Sequence, residues 1–208
     1  GLEVMILEAC EDYPDSTFIE DVALITPECV IITRPGAPSR RGEVEEVDFI
    51  LRKKFTHIEY IEAPGTIEAG DIMMVGNHYY IGLSERTNIQ GAEQTIKLLN
   101  KYGLSGSTVD LKDVLHLKTG LSYLENNNLV ICGEFKSDPI FANYAFIEVP
   151  SEESYAANCI WVNDTVIIPL GYPLTKEKII NAGFNIFEVD VSEYKKLDGG
   201  LSCLSLRY

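Results

Sequence analysis

The sequence predicts an α/β fold in which units of two strands, a helix and a third strand repeat around a common axis. Five segments share a hairpin plan, in which two apolar strands flank a short polar turn, although the fifth lacks its second strand. Helical periodicity and then a third strand follow several of the hairpins. The hairpin turns centre near residues 27, 77, 127 and 163, and their spacing of about 50, 50 and 37 residues is typical of a radial repeat.

The predicted hairpins consist of short apolar runs that are separated by polar turn residues. Their strands are 22–25 with 29–32, 71–75 with 78–81, 121–124 with 129–132, and 159–162 with 165–168. The single strand of the fifth repeat is predicted at 201–206, and residues 4–7 also have the composition of a strand.

Helices are predicted where apolar residues recur three and four positions apart. These segments are 43–55, 88–102 and 175–182, with a weaker helix at 139–144. Gly103 and Gly183 are expected to end the second and third helices, and Thr175 to cap the third. Third strands are predicted at 57–61, 107–111 and 185–189.

The length of 208 residues suits one domain or two small ones. No linker or break in composition divides the chain, so a single domain over residues 1–208 is predicted. A doubly wound sheet is the competing fold, but it needs one crossover helix per strand, and here hairpins outnumber helices. The unpaired fifth strand indicates that part of the N-terminal blade precedes Gly1.

Composition excludes several classes of function. The chain has 32 acidic and 17 basic residues and a formal charge of −15, which argues against a nucleic-acid surface. No apolar run approaches the roughly 20 residues of a membrane helix, and no signal peptide is visible. Five cysteines without a CxxC pair disfavour a zinc knuckle and a disulfide scaffold, and favour the reducing cytoplasm.

Reactive side chains occupy equivalent places in the repeats, just before or within each hairpin. They are Glu20 and Asp21, then Glu68 and Asp71, then His116, Asn158 and Cys203. In a radial arrangement these groups converge, and carboxylates that meet repel one another unless they share a cation. No metal-ligand spacing is present. An organic cation is therefore predicted, since a guanidinium matches paired carboxylates, and neither a metal nor a cofactor is implied.

Cys203 and His116 are the candidates for covalent and acid–base chemistry. An ionised cysteine is the most nucleophilic of the common side chains, and two glycines shortly before Cys203 imply a closely approached backbone. A single cysteine is more often structural, and so is a single histidine. The place of both residues in the repeat favours a nucleophile and a general acid–base.

Four motifs, in their order and spacing, resemble the guanidino-group-modifying superfamily. They are 15–21, 68–71, 116–118 and 197–207. Within this superfamily the chain is most similar to the dimethylarginine dimethylaminohydrolase family, over essentially its whole length. The resemblance implies a five-bladed α/β propeller (pentein) of ββαβ repeats that lacks part of its N-terminal blade here.

The resemblance also implies a role for each site residue. Cys203 would attack the guanidinium carbon and form a covalent thiouronium, while His116 would protonate the departing amine and then activate water. Glu68 would bind a guanidinium nitrogen and orient His116, and Asp21 would anchor the guanidinium from another side. The implied substrate pocket is completed by Glu20, Asp15 and Phe18, with Arg40 and Arg86 on the substrate's α-carboxylate.

Lys118 favours methylated arginine over arginine as the substrate. Arginine deiminases typically carry an acid two positions after the histidine, where this chain has Lys118. An arginine deiminase or an amidinotransferase is the alternative within the superfamily, and a non-catalytic propeller-fold binding protein is the alternative from another class. The expected partner is a small molecule, and the unpaired strand edge would support a homodimer.

Overall fold

In the computed structural model, which describes residues 2–208, the strands form four separate three-stranded sheets. Each sheet has one topology: its first strand pairs antiparallel with its second, and its second pairs parallel with its third. A parallel pair requires a crossover connection. The connection contains an α-helix in three of the four units and only short 3-10 turns in the third unit, so the predicted strand, strand, helix, strand plan is confirmed in three units.

The elements follow the predicted order, with bounds that differ by a few residues. Unit 1 contains β1 (Ala23–Ile25), β2 (Val30–Ile32), α1 (Val44–Leu51) and β3 (Ile58–Tyr60). Unit 2 contains β4 (Ile72–Val75), β5 (His78–Leu83), α2 (Ile89–Lys101) and β6 (Ser105–Asp110). Unit 3 contains α3 (Leu117–Gly120), β7 (Leu121–Glu125), β8 (Asn128–Ile131) and β9 (Ala145–Glu148). Unit 4 contains β10 (Ile160–Val162), β11 (Thr165–Pro169), α4 (Pro173–Asn181), β12 (Asn185–Val189) and α5 (Ser192–Lys195).

The helices differ from the prediction in two ways, at the crossover of unit 3 and at the start of α4. The crossover of unit 3 contains only the short 3-10 turns Gly133–Ser137 and Pro139–Phe141, where a weak helix was expected. Helix α2 is capped as a helix should be, since the Asn88 side chain accepts a hydrogen bond from the Gly91 N–H. Thr175 is not the cap of α4, because that helix begins at Pro173 and its first N–H groups bind Glu153.

The strand predicted at 201–206 is wrong. Ser202–Leu204 forms a 3-10 helix, in which the Cys203 N–H bonds to Gly200 and the Ser202 N–H bonds to Asn158. Residues 4–7 do not form a strand either. Both segments are apolar, but a strand also needs a neighbour that pairs with its backbone. The strand edge that was invoked for a homodimer is therefore absent at 201–206.

Buried apolar side chains lie between neighbouring units and hold them side by side. One cluster joins units 1 and 2 through Ile31 and Tyr79, another joins units 2 and 3 through Met73 and Leu121, and a third joins units 3 and 4. The first strand of unit 3 lies against the first strands of units 2 and 4. The segments that precede these strands are thereby brought together. None of the helices within residues 2–208 is long and apolar enough to cross a bilayer.

Candidate active site

Hydrogen bonds link the start of each unit to the start of the next, and we call this set of contacts the polar ring. Its members are Asp21 Oδ1 with Gly70 N at 3.0 Å, Asp71 Oδ1 with Leu117 N at 3.0 Å, Ser122 Oγ with Cys159 N at 3.0 Å, Asn158 Oδ1 with Ser202 N at 2.7 Å, and Ser202 Oγ with Glu20 Oε2 at 2.8 Å. The last contact returns to unit 1. The sequence-predicted groups therefore do converge around one centre.

His116 and Glu68 form a buried pair at this centre. His116 Nε2 lies 2.9 Å from Glu68 Oε2, and the other carboxylate oxygen accepts a hydrogen bond of 3.1 Å from the Gly36 N–H. Gly70 lies beside them, since a methyl group there would be 2.7 Å from Asp21 Oδ1 and 3.1 Å from the His116 ring. The carboxylate thus fixes one edge of the imidazole.

The environment keeps His116 protonated. Burial alone would lower its pKa, but the hydrogen bond that His116 donates to Glu68 and the charges of Asp21 and Asp71 outweigh burial and raise the pKa to about 9. The same pairing lowers the pKa of Glu68 against the effect of burial. At neutral pH the site therefore holds the His116 imidazolium beside the Glu68 carboxylate. The imidazolium is positioned as a proton donor.

Asp71 positions the backbone that carries His116. It is fully buried, and its carboxylate accepts hydrogen bonds from Ser84 Oγ, Thr87 Oγ1 and the Leu117 N–H at 2.6, 2.6 and 3.0 Å. Burial raises its pKa. The sequence placed Asp71 in the cluster without a role, and the contacts give it one.

Cys203 shares a cavity with His116. The cavity has a volume of about 40 Å³, and Lys118, Tyr155 and Asn158 also line it. That volume is enough to hold water. Burial, together with the charges of Glu20 and Asp21, raises the pKa of Cys203 to about 12. A cation bound beside these acids would lower that pKa and favour the thiolate.

Glu20 lies beneath the Cys203 loop, and its carboxylate is engaged by the chain itself. It contacts Lys118 Nζ at 2.6 Å, Arg207 Nη2 at 2.6 Å and Ser202 Oγ at 2.8 Å. Burial opposes ionisation, yet the charges of Lys118 and Arg207 lower its pKa. This placement differs from the predicted contact with substrate, because the carboxylate oxygens already bind two cations and a hydroxyl group.

Arg40 lies among the carboxylates rather than at an open pocket wall. Its Nη1 is 2.7 Å from Asp21 and 3.8 Å from Glu68, and its Nη2 is 2.8 Å from Glu43. Burial alone would lower the pKa of Arg40, but the hydrogen bond to Glu43 and the charge of Asp21 raise it. In this structure Arg40 neutralises the acids, and its expected contact with the substrate's α-carboxylate stays a prediction.

The remaining predicted residues lie around this centre. Arg86 is half-buried, and its charge lies close enough to help lower the pKa of Glu68. Phe18 is buried against the loop that precedes Cys203, where a methyl group on Gly199 would come within 2.1 Å of its ring. Asp15 is exposed, and its backbone oxygen accepts a hydrogen bond from Arg40 at 3.3 Å.

Sequence reasoning missed two residues of the site. Tyr155 lines the cavity, and its hydroxyl group donates to the Gly199 carbonyl at 2.6 Å. Nothing in the sequence singles it out. Ser202 belongs to the polar ring, and its position directly before Cys203 was the available signal.

Asp21, Glu68 and His116 also have the spacing of a metal site. Their ligand atoms all lie within 4.8 Å of one another. Arg40 is within 4.0 Å of both carboxylates, so the positive charge that they need is already supplied by the chain. Arg40 thus already places a guanidinium against these acids, and a substrate guanidinium stays the predicted ligand.

Comparison with known proteins agrees with this chemistry. Residues 8–158 match the family model described as arginine deiminase. The whole chain is 59% identical to N(G),N(G)-dimethylarginine dimethylaminohydrolase from Pseudomonas aeruginosa and covers 82% of it. It is 30% identical over its whole length to the protein of the same name from Streptomyces coelicolor, and covers 80% of that protein.

Solved structures confirm the predicted fold class. A cysteine-to-serine mutant of the Pseudomonas aeruginosa enzyme, complexed with citrulline, matches with a TM-score of 0.94 and 60% identity, over 95% of this chain and 78% of that chain. The N-terminal domain of a cyanobacterial arginine dihydrolase, bound to substrate, matches with a TM-score of 0.85 over 94% of this chain and 76% of that chain. At 23% identity, this second likeness concerns the fold alone.

Proposed function

Because the chain belongs to the dimethylarginine dimethylaminohydrolase family, we propose that it hydrolyses asymmetric dimethylarginine and monomethylarginine to citrulline and dimethylamine or methylamine. The observation that carries the proposal is the cavity that Cys203 and His116 both line, with Glu68 hydrogen-bonded to His116. A nucleophile and a proton donor thus face one cavity, and the carboxylates that would attract a guanidinium lie next to the histidine.

The covalent half of the reaction begins when the substrate cation offsets the acids near Cys203, and the thiol loses its proton to solvent. The thiolate attacks the guanidinium carbon, so a C–S bond forms and the C=N electron pair moves to nitrogen. His116, protonated at neutral pH, then gives its proton to the methylated nitrogen. The C–N bond breaks, the amine leaves, and a thiouronium remains on Cys203.

The hydrolytic half reverses the role of His116. The neutral imidazole takes a proton from water, and the resulting hydroxide adds to the thiouronium carbon. The second adduct collapses, the citrulline carbonyl forms as its hydroxyl proton is released, and the electron pair of the C–S bond returns to Cys203. Glu68 keeps the imidazole oriented in both halves through its hydrogen bond of 2.9 Å.

The carboxylates of Asp21 and Glu68 are proposed to hold the substrate guanidinium. Arg40 contacts both acids in the unliganded chain, so the substrate must share them with Arg40 or displace it. Arg86 remains the proposed partner of the substrate's α-carboxylate, with Phe18 and Asp15 beside it. For Glu20 we infer a positioning role, because its oxygens already bind the chain.

Citrulline formation from asymmetric dimethylarginine tests the proposal, with Cys203→Ser beside the parent chain and Cys10→Ser as the matched control. Cys10 is a free cysteine that does not line the cavity, so its replacement should leave turnover unchanged. We expect the Cys203 variant to lose turnover, since a serine hydroxyl group is a far poorer nucleophile than a thiolate at neutral pH. Full activity of Cys203→Ser would contradict the mechanism.

Arginine deiminase activity is the second candidate, since the matching family model bears that description. Lys118 favours methylated substrates. Its ammonium group pairs with Glu20, and position 118 therefore carries no acid to bind unsubstituted guanidino nitrogens. The two candidates differ in kcat/KM for dimethylarginine and for arginine. Faster turnover of arginine would select the deiminase.

The binding-protein and compartment predictions have separate tests. Covalent labelling of Cys203 by a guanidine-like electrophile separates an enzyme from a non-catalytic binder. The cytoplasm remains the proposed compartment, supported by the five free cysteines of the structure. A homodimer remains a prediction, which light scattering of the eluting protein tests.

A further inference from the structure

Asn158 occupies a place in the repeat that the proposed reaction leaves without a role. It lies two residues before β10, much as Asp71 lies directly before β4, and it is 5% exposed. A buried amide needs partners for its acceptor and for both of its donors. The hydrogen-bond partners of Asn158 lie in the two segments that carry Cys203 and His116.

All three polar positions of the Asn158 amide are used. Its Oδ1 accepts from the Ser202 N–H at 2.7 Å, and its Nδ2 donates to Ser202 Oγ at 3.0 Å and to the Lys118 carbonyl at 2.9 Å. Ser202 directly precedes Cys203, and Lys118 comes two residues after His116. One planar side chain therefore joins the loop at 198–203, which we call the nucleophile loop, to the segment 116–118 that carries His116.

Close packing adds to these bonds. A methyl group on Gly200 would lie 2.6 Å from Asn158 Cγ, so the backbone of the nucleophile loop rests directly on the amide. Gly199 makes a similar approach to Phe18. The two consecutive glycines are thus explained by contact, and the loop has little freedom to move relative to Asn158.

We propose that Asn158 is a positioning residue that sets the placement of Cys203 relative to His116. The expected effect of Asn158 on kcat rests on the proposed function. Its effect on the placement of Cys203 relative to His116 does not. A displacement of about 1 Å between reacting groups costs about 100-fold in rate, so loss of the amide should act mainly on kcat.

Two variants test this role, Asn158→Asp and Asn158→Ala. Asn158→Asp keeps the acceptor for Ser202 but loses both donors and adds a negative charge near Cys203, beside Glu20 and Asp21 and facing Lys118. We expect kcat for dimethylarginine to fall about 100-fold in both variants, while KM changes little. Asn181→Asp, at an exposed asparagine on α4, is the matched control and should behave as the parent.

The rate at which iodoacetamide alkylates Cys203 is measured as a function of pH. Substitution of a residue with only a structural role would leave this pH profile unchanged. The added carboxylate of Asn158→Asp should shift the profile to higher pH, whereas Asn158→Ala should alter the rate without that shift. Circular dichroism checks that each variant is folded. If Asn158→Asp does not fold, Ser202→Ala, which removes the contacts of Ser202 Oγ with Asn158 and with Glu20, is expected to lower kcat in the same direction.

Two outcomes would overturn the proposal. A raised KM with unchanged kcat would make Asn158 a substrate ligand, and unchanged kinetics with an unchanged alkylation profile would leave it a packing residue. Absence of citrulline with the parent chain would instead contradict the proposed function. Alkylation of Cys203 would then still report on Asn158, so the two failures are distinguishable.

Discussion

The guanidinium of Arg40 lies between carboxylates that the sequence assigns to a substrate guanidinium. Sequence reasoning required a cation there because converging acids repel one another, and the structure supplies one from within the chain. Removal of one member of a buried ionic cluster leaves the others unpaired, which is strongly destabilising. Arg40 should therefore matter for stability even in the absence of substrate.

Arg40→Ala is expected to lower the free energy of unfolding by about 3–5 kcal/mol, since Asp21 and Glu43 lose their buried partner. Arg52→Ala is the control, because Arg52 forms an exposed pair with Asp48 and should have only a small effect. Urea denaturation at pH 7 measures both. Equal losses in the two variants would contradict the role assigned to Arg40.

The His116 imidazole should titrate near pH 9 because of Glu68, against an ordinary value of 6.5. A histidine whose pKa is raised by folding contributes stability that is complete below its unfolded pKa and disappears as the pH rises through the folded pKa. Stability should therefore fall between about pH 6.5 and pH 9, and Glu68→Gln should flatten that dependence.

The ring nitrogens of His116 in an NMR titration give the pKa directly, and denaturation across the same pH range gives the stability. His78→Gln is the control for the loss of an ordinary histidine pairing. A His116 pKa near 6.5 in the parent chain would show that Glu68 does not govern it.

Part of the site was predictable from residue positions alone, and part was not. The repeat placed Asp21, Glu68, His116 and Cys203 at one centre because equivalent positions of a radial array meet. The partners of Glu20 were not predictable, since Ser202 lies 182 positions away along the chain. Which acid is free for substrate and which is occupied by the chain depends on such distant contacts.

Secondary-structure elements depend on neighbours in the same way, as the start of α4 shows. Pro173 opens this helix, and the carboxylate of Glu153 accepts from Leu174 N at 3.0 Å and from Thr175 N at 2.6 Å. A helix leaves its first N–H groups without internal partners, so a carboxylate there acts as a cap. The sequence did not show that Thr175 lies inside α4 rather than at its N-cap. The group that caps α4 is Glu153, which lies 20 residues before the helix begins.

Glu153→Ala should lower the free energy of unfolding by about 1–2 kcal/mol, the usual cost of losing a helix cap. Glu177→Ala, an exposed acid on the same helix, is the matched control and should have a much smaller effect. Thermal and urea unfolding of both variants measure the difference. If the two substitutions cost the same, the capping interpretation is wrong.

The hairpins were predicted well, whereas the strands predicted at 4–7 and 201–206 were wrong. A hairpin carries its own pairing information, since its turn and alternating apolar residues set the register locally. The segment at 201–206 has strand composition but turns its N–H groups to Gly200 and Asn158. The crossover helix predicted at 139–144 in unit 3 is absent for a related reason. A short amphipathic segment becomes helical only where packing against neighbours supports it.

In the whole molecule, every unit contributes to the site through the polar ring and through the apolar clusters between units. No single unit holds both Cys203 and His116, and the contacts that join them cross unit boundaries. Loss of any one unit should disturb the centre.

Citrulline formation and far-ultraviolet circular dichroism should accordingly decline together as urea is raised, with coincident midpoints. Intrinsic fluorescence of Trp161, on β10, provides a third probe within unit 4. Activity that survives the loss of the Trp161 signal would show that unit 4 is dispensable for the site.

The contact between Ser202 and Glu20 spans 182 positions and has a kinetic consequence. Closing so long a loop carries an entropic cost that local hairpins do not bear, and contacts distant along the chain form slowly. After a jump out of denaturant, secondary structure should therefore return before catalysis does. The enzyme would pass through an interval in which its sheets are assembled and its thiol is still out of place.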